Sequence, residues 1–126
     1  MAPEEIYDAA ADVFTPCALG GILNEQTTPR LRAEIIAGAA NNQLRDNEAA
    51  QAIEARSILY APDFILNAGG IISGSAYLLG ESLAQLEQRI AGIYDTLLAV
   101  YQLATQKQTT TAAAAEAYAE QILRGA

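Results

Sequence analysis

No histidine occurs in the 126 residues, and lysine occurs once, at Lys107. The first absence removes the usual general base at neutral pH, the Ser/His and Cys/His nucleophile pairs and most zinc sites. The second leaves a lone ammonium between two helical stretches, far in sequence from the loops discussed below. Cysteine is equally scarce. Cys17 alone cannot form an internal disulfide, and no apolar run approaches the length needed to cross a bilayer or act as a secretory signal. A reducing cytoplasm is the expected compartment. Seven basic against fifteen acidic side chains give a formal charge of −8, which repels a phosphate backbone, and no basic stripe offsets it. Neither nucleic acid nor membrane is an expected partner. There is no Gly-x-Gly-x-x-Gly turn, internal repeat or low-complexity linker, although residues 112–115 are all alanine.

With 52% hydrophobic and 17% charged residues, the chain has the composition of an ordered globular protein, long enough for one modest core. Three stretches share one grammar. Val13-Phe14 runs into Thr15-Pro16-Cys17-Ala18-Leu19-Gly20-Gly21. Ile35-Ile36-Ala37 runs into Gly38-Ala39-Ala40-Asn41-Asn42-Gln43-Leu44, and Ile58-Leu59-Tyr60 into Ala61-Pro62-Asp63, then Asn67-Ala68-Gly69-Gly70. Each is a short β-branched or aromatic run closed by small residues, which suits a buried parallel strand and the loop at its carboxyl end. In open α/β sheets ligands sit along that edge.

The remaining pattern is helical. Pro3-Glu4-Glu5 predicts a short opening helix over 3–10, and Thr28-Pro29 a single helical turn with Thr28 as cap. Asp46 caps a helix reaching about Ala55, so that residues 35–60 read as a βαβ crossover with parallel strands. A helix over 71–79 is expected to end at a left-handed Gly80. Leu83, Leu86, Ile90, Ile93, Leu97, Tyr101 and Ala104 recur at three and four residues, predicting one long amphipathic helix over 82–105. A last, alanine-rich helix begins at Thr111 or a neighbouring threonine and carries a thin stripe of Ala115, Tyr118, Ala119 and Ile122.

The three motifs, in this order and spacing, resemble the carboxyl-terminal part of the Glu/Leu/Phe/Val (amino-acid) dehydrogenases, most closely the leucine dehydrogenase branch that includes cyanobacterial tryptophan dehydrogenases. Ile93-Tyr94-Asp95-Thr96 also fits that branch. The resemblance implies an α/β fold: the second half of a Rossmann-type NAD-binding domain over residues 1–80, with short parallel strands. A helical segment over 81–126 would pack on it and toward a catalytic domain. It places no catalytic residue in this chain, because the family's essential lysines, its aspartate and its glycine-rich cofactor turn match nothing here. By resemblance the backbone of Cys17 and Ala18 approaches the cofactor ribose. Asn41 would lie between nicotinamide and substrate carboxylate, and Asn67 would bond the nicotinamide amide. A carboxamide both donates and accepts, as does the nicotinamide amide, and stays uncharged beside a hydride path.

Ile71 and Gly74 match positions lining the family's substrate pocket. A glycine where leucine-type members carry a branched residue implies a bulky, aromatic amino acid. The implied partners are the catalytic domain and further copies of the chain. A stand-alone half-domain acting through self-association is the alternative. Plainer readings stand beside these. Asn41-Asn42 also suits a turn, Cys17 a small half-buried residue, Asp63 a turn cap, Tyr94 and Asp95 the surface of the long helix, and Gly70-x-x-x-Gly74 close helix packing.

Overall fold

A computed structural model describes residues 2–125. Three parallel strands of two residues each lie side by side in chain order, β1 (Val13–Phe14), β2 (Ile35–Ile36) and β3 (Leu59–Tyr60), with Val13 opposite Ile35 and Ile35 opposite Leu59. Alternation along each strand puts Ile36 and Tyr60 in the core and leaves Val13, Ile35 and Leu59 in a row on the other face, 45%, 36% and 41% exposed. The strands are therefore buried on one face, not two as the apolar runs suggested.

Five α-helices follow the βαβ reading. Asp46 caps α1 (Asn47–Ala55) by accepting the Ala49 N–H at 2.9 Å. Pro62 and Asp63 do not merely turn the chain but open a one-turn helix, α2 (Asp63–Leu66), and α3 (Gly69–Leu79) starts two residues earlier than expected, taking in the glycine pair. Gly80 ends α3 with φ +67°, as its position predicted. Ser82 and Gln85 form a reciprocal capping box at the head of α4 (Leu83–Lys107), and α5 (Thr111–Gly125) is the last element of the described residues. The opening segment Pro3–Asp8 is a 3-10 helix rather than an α-helix. Arg30 holds it, pairing with Asp8 and stacking 5.3 Å over the Tyr7 ring.

Burial falls into two clusters, not one. Leu23, Leu31, Ile36, Ile53, Ile58 and Tyr60 pack under the sheet, and Ile65, Val100, Ala104, Ala114 and Ala115 pack where α4 and α5 meet. The buried stripe of α4 thus centres on Val100 and Ala104, while Leu83 and Ile90, expected on its apolar face, stay exposed. Thr111 Oγ1 donates to Tyr60 O at 2.8 Å and ties the start of α5 to the end of β3.

Gly38 ends β2 against the first loop. A Cβ there would lie 2.2 Å from Pro16 O and 2.5 Å from its ring, so the two backbones touch only because the side chain is missing. Gly38→Ala should cost about 1–3 kcal/mol by overpacking. The urea midpoint should fall with little change in slope; an unchanged midpoint would mean the loops separate easily.

Candidate functional site

All three strands run the same way, so the loops at their carboxyl ends, residues 15–21, 37–44 and 61–68, share one rim of the sheet. The first two are joined backbone to backbone. Ala40 N–H donates to Pro16 O at 2.9 Å and Gly21 N–H to Asn42 O at 2.7 Å; a Cβ on Gly20 would sit 3.0 Å from the carbonyls of Asn41 and Asn42. Beyond them Leu23 N–H donates to Gln43 O and Arg45 N–H to Leu23 O, both at 3.0 Å, adding a parallel bridge between Leu23 and Leu44.

The second and third loops are joined by side chains. Asn67 Nδ2 donates to Asn41 Oδ1 at 2.6 Å and to Ala39 O at 3.3 Å. The second contact fixes the amide orientation, since a carbonyl only accepts. Four residues earlier, on the same side of the α2 turn, the Asp63 carboxylate accepts the Gln43 N–H at 2.8 Å. Gln43 is fully buried, and its Nε2 donates to Gly38 O at 2.8 Å and Ala40 O at 2.9 Å, cross-bracing the loop that carries Asn41. Asn42 takes the left-handed conformation, φ +52°, within that bend.

The sequence-derived residues are thus partly gathered. Asn41 and Asn67 touch. Cys17 and Ala18 follow Pro16 on the same rim, and Cys17 is exposed rather than half-buried. Ile71 and Gly74 lie on the first turns of α3, one and two turns past Asn67; Ile71 is 77% exposed. A Cβ at Gly70 or Gly74 would meet nothing within 4 Å, so the predicted close helix packing at that pair is not found. Gln43 and Asp63 were missed as braces. The Asp-x-x-x-Asn spacing was the available signal, because i and i+4 on one turn face a common neighbour.

A small concavity of about 180 Å³ borders the rim, lined by Asn42, Leu44, Pro62 and Asp63 together with Ala112 and Glu116 of α5. Two larger concavities lie elsewhere. One of about 580 Å³ sits between the end of α1, β3 and the end of α4, and one of about 410 Å³ between α2, α3, α4 and α5.

The Glutamate/Leucine/Phenylalanine/Valine dehydrogenase family matches residues 1–124. This chain belongs to that family. It is 43% identical over 121 residues to a phenylalanine dehydrogenase of Caldalkalibacillus thermarum, covering 96% of this chain and 33% of the relative. It is 40% identical over 119 residues to a leucine dehydrogenase of Thermoactinomyces intermedius, covering 94% and 32%. The crystal structure of L-tryptophan dehydrogenase from Nostoc punctiforme superposes with a TM-score of 0.92 at 44% identity, covering 98% of this chain and 38% of that one. The fold is Rossmann-like, and the chain spans about a third of the length of the curated relatives it matches.

A dehydrogenase of this family implies a nicotinamide cofactor, and the donor set on the rim fits one. With Asn67 Nδ2 committed to Asn41 and Ala39, Asn67 Oδ1 and Asn41 Nδ2 make no hydrogen bond among the described residues. One acceptor and one donor are the complement of a primary amide.

Tyr60, at the end of β3, is held well above the ordinary phenol range, first by burial and then by the negative charge of Asp63. Its folded pKa exceeds its unfolded one, so its contribution to stability is complete below the unfolded pKa of about 10 and is lost as pH rises through the folded value. Tyr60→Phe should therefore flatten the alkaline fall in stability above about pH 10, measured by urea melts at stepped pH. An unaltered slope would remove Tyr60 as its source.

Proposed function

We propose that this chain is the cofactor-holding part of an NAD-dependent L-amino-acid dehydrogenase acting on a hydrophobic or aromatic amino acid. The observation that carries the reading is the Asn67–Asn41 contact, two carboxamides from different strand ends brought to 2.6 Å on the edge where α/β sheets take ligands. Residues 1–80 form the dinucleotide half and residues 81–126 the helical segment turned toward a catalytic domain. When bound, NAD supplies the hydride acceptor for oxidation of the amino acid to an imine, which water converts to the 2-oxo acid and ammonia. This chain's own residues bind and orient. The Cys17 and Ala18 backbone would hold the ribose, Asn67 would hydrogen-bond the nicotinamide amide, and Asn41 would serve both the cofactor and the substrate carboxylate. Asparagine suits this place because it keeps the same neutral charge throughout the reaction.

The proton carriers belong to the partner domain, which the bare apolar surface also supports. Val13, Ile35 and Leu59 line the open sheet face, and Ile71, Tyr77, Leu78, Leu79 and Leu83 are each 70% or more exposed around the α3–α4 turn. The same surface favours a second reading, a non-catalytic half-domain that acts by self-association. NADH separates the two. Binding to the folded chain raises its melting temperature by mass action, and Asn67→Ala abolishes most of that rise while changing the ligand-free melt little. No rise with the unaltered chain, together with concentration-dependent association in sedimentation, would favour assembly.

Gly74 tests the substrate. A Cβ there meets no atom within 4 Å, and glycine inside a helix is unfavourable by up to about 1 kcal/mol against alanine. Gly74→Leu should leave the fold intact or firmer. In the complete dehydrogenase it should shift the turnover ratio from tryptophan or phenylalanine toward leucine. A leucine preference already present with Gly74 would defeat the aromatic assignment.

A further inference from the structure

We propose that Asp63 and Gln43 are positioning residues that set the spacing of Asn41 and Asn67, and so prepare the rim for the nicotinamide amide; this rests on the cofactor reading above. α2 is a single turn, and its first residue and its cap grip the same loop at two points. Asp63 Oδ2 accepts the Gln43 N–H at 2.8 Å, and Asn67 Nδ2 donates to Asn41 Oδ1 at 2.6 Å, with the Asn67 N–H donating to Asp63 O at 2.8 Å. Two anchors two residues apart on one loop, met by two residues one turn apart on the other, leave neither loop free to slide or rotate against its neighbour. The grip on Asn67 alone would not do this, because that pair is exposed and a water could replace either partner.

The buried end of the latch differs. Asp63 is 9% exposed, and none of the salt bridges among the described residues reaches it. A buried carboxylate without a cation is tolerated where N–H donors satisfy it, and here the donor is the backbone of Gln43. Gln43 passes the constraint on. Its Nε2 bridges Gly38 O and Ala40 O, so the bend from the end of β2 to Asn41 is set from inside. Removing the carboxylate leaves a buried N–H unmet, and removing the amide leaves two carbonyls unmet; either loosens the Asn41 loop before it loosens the sheet.

The test uses the whole chain with Asp63→Ala, Asp63→Asn and Gln43→Met, and Arg56→Ala as a control. Arg56 donates to the carbonyls of Thr28 and Leu31 and stabilises a region remote from the rim. Side-chain amide NMR signals of Asn41 and Asn67 report the latch without any cofactor, and NADH titration reports its consequence. Asp63→Ala and Gln43→Met should move both amide pairs toward free-asparagine positions and weaken NADH binding about tenfold. Asp63→Asn keeps an oxygen at the Gln43 N–H and should recover most of both. Arg56→Ala should lower the melting temperature and leave the Asn67 signals where they were.

Folded Asp63→Ala or Gln43→Met with unmoved amide signals overturns the proposal, as does an Arg56→Ala that moves them equally. If Asp63→Ala does not fold, Gln43→Met and Asp63→Asn decide it by the same signals. Should the unaltered chain bind no NADH while the amide signals still respond as expected, the latch stands and the cofactor reading falls.

Discussion

A parallel ladder of two-residue strands offers few backbone hydrogen bonds, so the alignment of β1, β2 and β3 depends on what the chain does just past their carboxyl ends. The ladder amounts to bonds such as Ala37 N–H to Phe14 O and Ala61 N–H to Ile36 O, each near 3.0 Å. The loops then add about as many. Pro16 closes on the bare Cα of Gly38 and takes the Ala40 N–H, Gly21 reaches Asn42, and Asp63 takes the Gln43 N–H. A one-residue slip would drive a side chain into Pro16 and strand the Asp63 carboxylate in the core, which is dearer than losing a ladder bond. The bonds that keep the strands in register are therefore the same bonds that shape the rim.

That coincidence explains why so much was legible in the residues. Gly38, Gly20 and the asparagines are readable because their constraint is local: only glycine admits backbone at 2.2 Å from a would-be Cβ, and small polar residues after an apolar run mark a strand's carboxyl end. The caps at Asp46 and Gly80 are local too, and fell where the sequence put them; the Ser82 cap sits where the long helix was expected to begin. Asp63 and Gln43 were not readable in the same way. Asp63 carries a local hint in its spacing to Asn67, but its partner Gln43 lies twenty residues away, and nothing along the chain separates that buried glutamine from a surface one. The second core cluster was legible in part: the helical stripes include Ala104 and Ala115, whereas Ile65, Val100 and Ala114 show their place only where α4 and α5 pack.

The exposed apolar residues belong to a different level. Periodicity placed Leu83 on the inner face of the long helix, and the helix does form, yet Leu83 stays 70% exposed. The pattern of a helix records every surface it has to bury, including surfaces that other chain covers. An apolar position left bare by this structure is thus apolar surface still to be buried, not an error in the helical pattern. The row Val13, Ile35 and Leu59 makes the same point on the sheet, because parallel sheets are ordinarily covered on both faces.

The absence of histidine and the placement of the single lysine bear on the chemistry in turn. The two carboxamides and the backbone groups of the rim keep one charge as pH crosses neutrality, so whatever they hold they hold in one electrostatic state. For a redox cofactor that is an advantage: a titrating neighbour would shift the cofactor's two oxidation states by different amounts, since one carries a positive ring and the other does not. The carboxylate within the rim's own loops, Asp63, is buried and spent on the Gln43 N–H. Its charge acts inward, on Tyr60 and on the loop, and the amides at the surface are left to be neutral. Separating the charge that builds the site from the neutral groups that would face a ligand is the physical logic of this half of the fold.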